Sequence, residues 1–177
     1  DLMRDTLGPA AAPVRSELAL LDQQVERMRL IVTQLLQYAR PTEFAGYVDA
    51  QDLNRTVSDC LVLVGHLLTQ TRVEVQLDLA ATHPVGINRQ ELQQVIINLL
   101  INAIQAMPDG GALRLATRDT EGGAELSVTD SGTGLSEATR ERLFRPFFTT
   151  KNDGNGLGLW ISLGLVERYG GGIVAAN

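Results

Sequence analysis

"TDSGTGLSEA", residues 129–138, ends a strand-like alternation with an acid and follows it at once with two glycines. Just upstream, "AELSVTD" puts Leu126, Val128 and Asp130 on one side of a strand, so the Asp130 carboxylate is expected to point where the leucine and valine point, toward the interior. An interior acid without a partner is costly. The least costly reading gives it a donor from a ligand, such as the exocyclic amine of adenine, with Gly132 and Gly134 letting backbone come close to the ring. Taken alone, the stretch is equally an Asp-Gly turn at a strand end. A dinucleotide-binding loop fits poorly, because "GTGLSE" lacks the third glycine and no acid closes a following strand.

Working outward, "ALRLATRD" and "AELSVTD" are separated by "TEGG", which reads as a hairpin. Before it, "RQELQQVIINLLINAIQAM" (89–107) has helical periodicity through Leu92, Val95, Ile96, Leu99, Ala103 and Met107, and ends at Pro108 and a "DGG" turn. An apolar helix over about 52–70, the alternating strand "VEVQLDL" and a short strand in "HPVGIN" come earlier. A short helix "SEATRERLF", a helix "GLWISLGLVERYG" and a last strand "GIVAAN" follow. Strands joined partly by hairpins and partly by helices predict a two-layer α/β sandwich, its mixed sheet covered by helices on one face.

Polar residues interrupt these patterns where a core would not choose them. Asn98 and Asn102 leave one face of the 89–107 helix one turn apart, and Glu91 lies close to the same line. An amide inside a helix lowers propensity and needs partners, so two on one face suggest a polar ligand; satisfied interhelical hydrogen bonds are the alternative. An amide oxygen can ligate Mg²⁺, which takes its other oxygens from water and phosphates. In "NDGNGLGLWIS" (152–162), Gly154, Gly156 and Gly158, with Leu157 among them, feed a helix N-terminus whose N–H groups suit an anion. Upstream, Phe144, Phe147 and Phe148 are expected to anchor that loop, and Lys151 either reaches a phosphate or is a solvated charge.

The first 40 residues read differently. Val14, Leu18, Leu21, Val25, Met28, Val32, Leu35 and Ala39 step by four and three, a heptad seam that asks for a partner helix. Leu20, Leu30, Ile31 and Leu36 widen it toward a bundle, and Gly8 and Pro9 break off an earlier helix, so residues 1–41 are expected to be part of a helical hairpin and 42–177 the α/β domain. Of 177 residues, 15 are Lys or Arg and 21 Asp or Glu; the net charge of −6 argues against nucleic acid as a partner and for a small, locally held phosphate ligand. The single cysteine, Cys60, sits in the apolar run "CLVLVGHLL" and reads as a buried hydrophobe in a reducing, cytoplasmic setting. No apolar run is long enough to span a membrane. A start at Asp1 suggests a piece of a longer protein.

The asparagine-bearing helix, D-x-G-x-G, "FRPFFTTK" and G-x-G-L-G-L, in that order over residues 91–159, resemble the catalytic domain of two-component sensor histidine kinases. "LLQYARPTEF" resembles the end of that family's dimerisation and phosphotransfer hairpin, in the nitrogen-regulation and dicarboxylate-sensor branch. The resemblance implies the Bergerat fold, ATP and Mg²⁺ as cofactors, a homodimer through the hairpin and a response regulator as phosphate acceptor, and it leaves room for the whole protein to be an inner-membrane sensor. It matches Asn102 to the metal ligand, Asp130 to the adenine reader flanked by Gly132 and Gly134, and Gly154, Gly156 and Gly158 to the phosphate loop. Asn98 stands where related gyrase- and chaperone-type ATPases carry a glutamate base; an amide cannot take a proton from water, which disfavours hydrolysis and keeps ATP for a histidine nucleophile. Asn98 and Glu91 are thus the candidate catalytic residues. A hydrolysing ATPase of the same fold and a degenerate dimeric scaffold are the competing readings. The two histidines, His66 and His83, lie outside any His-Glu motif, so the phosphoacceptor is absent, and "GGGIVAAN" stops before the family's final strands.

Overall fold

The computed structural model of the chain describes residues 48–151 and 154–177. The heptad seam, the proposed hairpin and its boundary at residue 41 lie outside the described residues.

Helix α1 (Leu53–Thr71) starts at Asp52, whose carboxylate accepts from Arg55 N at 3.0 Å, and stops at Arg72, which takes left-handed backbone with φ 54°. It buries Leu53, Val57, Cys60 and Val64, a stripe at helical spacing. A three-residue strand β1 (Asp49–Gln51) precedes α1 and pairs antiparallel with β3 (Val85–Ile87). Between them in the sequence, but in the other sheet, comes β2 (Val73–Leu79). Helix α2 (Arg89–Gln105) opens at Asn88, whose side-chain oxygen accepts from the N–H groups of Gln90 and Glu91 at 2.9 and 3.2 Å. β4 (Gly111–Thr120) and β5 (Gly123–Asp130) form the expected hairpin. Then come the single turn α3 (Glu137–Arg140) and helix α4 (Gly158–Arg168).

The main sheet has the order β2-β4-β5, with β2 parallel to β4 and β4 antiparallel to β5. Its inner face contributes Leu113, Leu115 and Thr117, each fully buried. Its outer face is charged: Asp78 accepts from Arg114 and Arg118 at 3.4 and 3.3 Å, contacts too exposed to stabilise much. A buried polar junction closes the far edge, where the Thr117 hydroxyl donates to Asn54 Oδ1 at 2.5 Å and Asn54 Nδ2 donates to the Ala81 carbonyl at 2.8 Å. One hydroxyl and one amide thereby fasten α1 to the ends of β2 and β4, with every polar atom partnered.

Two expectations are corrected. In α2 Leu100 and Ile104 join Leu92, Val95, Ile96 and Ala103 among the buried positions while Leu99 is only partly buried, because the helix packs against α1, α4 and β5 and buries a broad arc. "GIVAAN" forms no strand: residues 171–177 carry no ladder, and the Asn177 side chain instead pairs with the Leu135 backbone, accepting from its N–H and donating to its carbonyl, both at 2.7 Å.

Candidate active site

Helix α2 is the spine of the site. Asn98, half-buried, donates through Nδ2 to the Ser162 hydroxyl on α4 at 2.8 Å. Ser162 is 1% exposed, so this contact is a buried side-chain bond between the two helices. Gly158, at the start of α4, lies against the same amide: a Cβ there would overlap Asn98 Oδ1 and stand 3.0 Å from its Cγ. Asn98 therefore fixes where α4 begins. The N-cap residue Leu157 makes no side-chain capping bond, and the Asn155 side chain accepts from Leu157 N at 3.1 Å where the loop enters α4.

One turn on, Asn102 is only partly buried, and its Oδ1 accepts from the Lys151 ammonium at 2.9 Å. Gln105 Oε1 accepts from the same nitrogen at 2.6 Å. Desolvation by the surrounding protein lowers the pKa of Lys151. An ammonium on the Asn102 oxygen shows that this position accepts a cation, which fits an amide ligand to Mg²⁺. Among the described residues no three His, Cys, Asp or Glu side chains group to hold a metal, so a divalent ion here would draw its remaining oxygens from a ligand and water.

Asp130 ends β5 opposite Leu113 in the register, on the core-facing side as alternation required. Its carboxylate is exposed, however, not buried; it lies at the rim where the strand leaves the core, and Oδ1 accepts from Gly132 N at 2.9 Å. The expectation of a buried acid is thus corrected to an acid on the right face at an open edge. Gly132 is required there: a Cβ would stand 2.5 Å from the Ala106 carbonyl oxygen at the end of α2. Gly134 has φ +68°, in the left-handed region that favours glycine, and faces Asn177.

In the second loop Gly156 combines φ +66° with backbone contact, since a Cβ would stand 2.6 Å from Phe148 N. Gly154 is pressed against Thr149, and Leu157 is fully buried. The aromatic anchor is narrower than expected. Phe148 is partly buried beneath Arg142, whose guanidinium lies 4.5 Å from its ring centroid, and Phe144 is partly buried, but Phe147 is 65% exposed.

Glu91, the other catalytic candidate, accepts from Arg168 Nη1 at 2.8 Å and from the Tyr169 hydroxyl at 2.5 Å, which ties the start of α2 to the end of α4. Sequence reasoning missed Ser162, Gln105 and Asn177. For Ser162 a signal existed: it lies four residues after Gly158, on the apolar face of its helix.

This arrangement, an α/β sandwich with an asparagine-bearing helix and two glycine loops, is that of a class, the ATP-binding domains of the Bergerat fold. Residues 87–177, about half of the chain, match the family "Histidine kinase-, DNA gyrase B-, and HSP90-like ATPase", and the chain belongs to it. Sensor histidine kinase ZraS of Escherichia coli (strain K12) is 32% identical over 171 residues, taking in 96% of this chain and 36% of ZraS. The C4-dicarboxylate transport sensor protein DctB of Rhizobium meliloti (strain 1021) is 39% identical over 154 residues, 84% of this chain and 24% of DctB. Among solved structures, a nucleotide-free form of the catalytic domain of histidine kinase ThkA matches with TM-score 0.65 at 30% identity, covering 70% of this chain and 82% of that one. The chain spans well under half the length of the curated relatives it matches, and it carries a catalytic ATP-binding domain of the histidine-kinase type. Among the described residues no helix is long and apolar enough to cross a membrane.

Proposed function

We propose that this chain holds Mg-ATP against α2 and its two glycine loops and presents the γ-phosphate to a histidine carried elsewhere in the protein, from which a response-regulator aspartate receives it. The observation that carries the reading is the division of labour between two asparagines one turn apart: Asn98 turns its amide to Ser162, while Asn102 offers its oxygen to a cation. Asp130 keeps acceptor capacity beyond its bond to Gly132 N and suits an exocyclic amine, with Gly132 and Gly134 admitting the ring. Gly154, Gly156, Leu157 and Gly158 lead the backbone into the N-terminus of α4, where the helix dipole favours a phosphate. When bound, Mg²⁺ neutralises phosphate charge, and Asn102 is the residue that would hold it.

Neither Asn98 nor Glu91 supports water as the nucleophile. An amide takes no proton at neutral pH, and the Glu91 carboxylate is engaged with Arg168 and Tyr169, two turns before Asn98 on α2. Phosphoryl transfer needs positioning and charge stabilisation more than covalent help from the protein, so a docked imidazole can supply what the site lacks. His66 is exposed on α1 and His83 faces Asp119 at 3.4 Å, surroundings that suit neither as acceptor. The reading extends to a cytoplasmic kinase core that dimerises through residues 1–41.

Calorimetric titration with a non-hydrolysable ATP analogue and Mg²⁺ tests it. The wild-type chain binds, and Asp130→Asn, which replaces an acceptor by a donor at the purine edge, weakens binding about tenfold or more. Failure of the wild type to bind would overturn the assignment.

A further inference from the structure

Gln105 and Lys151 take no part in the roles above, yet they share a contact with Asn102. The two amide-bearing residues lie three apart on α2, so their side chains are neighbours. Their oxygens converge on one ammonium at 2.9 and 2.6 Å. The lysine is held at its backbone too: Lys151 N donates to Thr149 Oγ1 at 3.1 Å, and Gly154 N donates to the Lys151 carbonyl at 3.2 Å. Among the described residues no carboxylate shares in the contact; two neutral oxygens hold a cation whose solvation is already reduced.

We propose that Asn102 and Gln105 form a two-oxygen cation seat that Lys151 fills in the nucleotide-free chain, so that the metal of Mg-ATP must displace the lysine to reach Asn102. The proposal rests on the Mg-ATP reading. An ammonium and a divalent ion crowded onto one amide oxygen repel each other, and the contact is therefore an exchange rather than a shared site. The displaced ammonium stays on the segment that leads into Gly154 and Gly156, beside the phosphates, where its charge is useful. Gln105 acquires a defined role: its oxygen retains the lysine and so sets how much metal is needed to release it. A seat filled in nine-tenths of the molecules raises the metal concentration for half-saturation about tenfold.

The test uses the 177-residue chain and a fluorescent ATP analogue, with two readings: half-saturating Mg²⁺ at fixed nucleotide, and nucleotide affinity in EDTA. Lys151→Met deletes the cation and keeps the stem; Gln105→Ala keeps the cation and loosens the seat. Gln105 and Lys151 are both exposed, and thermal melts confirm that the variants fold. Both substitutions are expected to lower half-saturating Mg²⁺ by about three- to tenfold, and Lys151→Met alone is expected to weaken metal-free binding. No change in either variant makes Lys151 a solvated charge and overturns the proposal. A higher Mg²⁺ requirement in Lys151→Met makes it a plain phosphate ligand, and an effect confined to Lys151→Met assigns it to lost charge alone; either result also overturns it. Absence of nucleotide binding by the wild type in both conditions removes the Mg-ATP reading, and the proposal with it.

Discussion

Replacing Gly158 by alanine examines the link between the site and its last helix. The added methyl overlaps Asn98 Oδ1 and lies within 3.1 Å of Nδ2, so the amide has to move. For a free surface side chain that motion costs little, but here Nδ2 is bonded to a Ser162 hydroxyl that is 1% exposed. Breaking the bond loses about 1 kcal/mol, and leaving the hydroxyl buried without a partner costs about 1–3 kcal/mol. Alanine returns up to ~1 kcal/mol of helix propensity, less at a first turn than in an interior. The net expectation is a destabilisation of roughly 1–3 kcal/mol, which lowers Tm by roughly 2–12 °C for a chain of this size. Differential scanning fluorimetry, repeated with nucleotide, measures it. Ser162→Ala serves as the partner in a double-mutant cycle: if the two side chains act through one hydrogen bond, most of the cost of Gly158→Ala disappears in that background. A wild-type Tm for Gly158→Ala, or full additivity in the cycle, would refute the reasoning.

Glu91→Gln should lower stability by about 1 kcal/mol, because the pair with Arg168 is only partly exposed, yet leave nucleotide affinity unchanged; calorimetry showing lost binding would place Glu91 in the site. The N–H of His83, the Thr82 hydroxyl and the Thr82 N–H, in that order, hold the Asp119 carboxyl down at about 2. A depressed carboxylate stabilises fully above its unfolded value of about 3.9 and loses that contribution as pH falls through the folded value. The urea midpoint of the wild type should therefore drop more steeply between those two pH values than that of Asp119→Ala. Burial, with the Asp59 charge adding to it, raises the Cys60 thiol to about 11, so a thiol reagent should label the native chain at pH 8 only as fast as it unfolds. Labelling within seconds would show that α1 does not bury it.

The β4–β5 hairpin, the two long helices and the positions of β2 and β3 along the chain were legible because most leave a periodic trace: alternation through Leu126 and Val128, helical spacing through Leu92 and Ile96, and turn residues in "TEGG". Asn102, Asp130 and the glycines were legible as breaks in those traces. Contacts between distant segments left none. The strand β1 exists only through its pairing with Val85–Ile87, and the Glu91 carboxylate meets Arg168 and Tyr169 more than 70 residues downstream. The exposure of Asp130 was also out of reach, since alternation tells which face a side chain takes and not how far the core extends beneath it.

Helix α2 also works as a ruler. Glu91 ties the end of α4, Asn98 its beginning, and Asn102 with Gln105 the lysine of the second loop, at intervals of seven, four and three residues. These intervals keep all four side chains on one stripe only while the helical count is kept, because each residue adds about 100° of rotation. Exchanging one of these residues for another removes a single tie, whereas inserting or deleting one residue between positions 91 and 105 would swing every later tie off the stripe together. Chain length in this helix is therefore under tighter constraint than the identity of any one of the four.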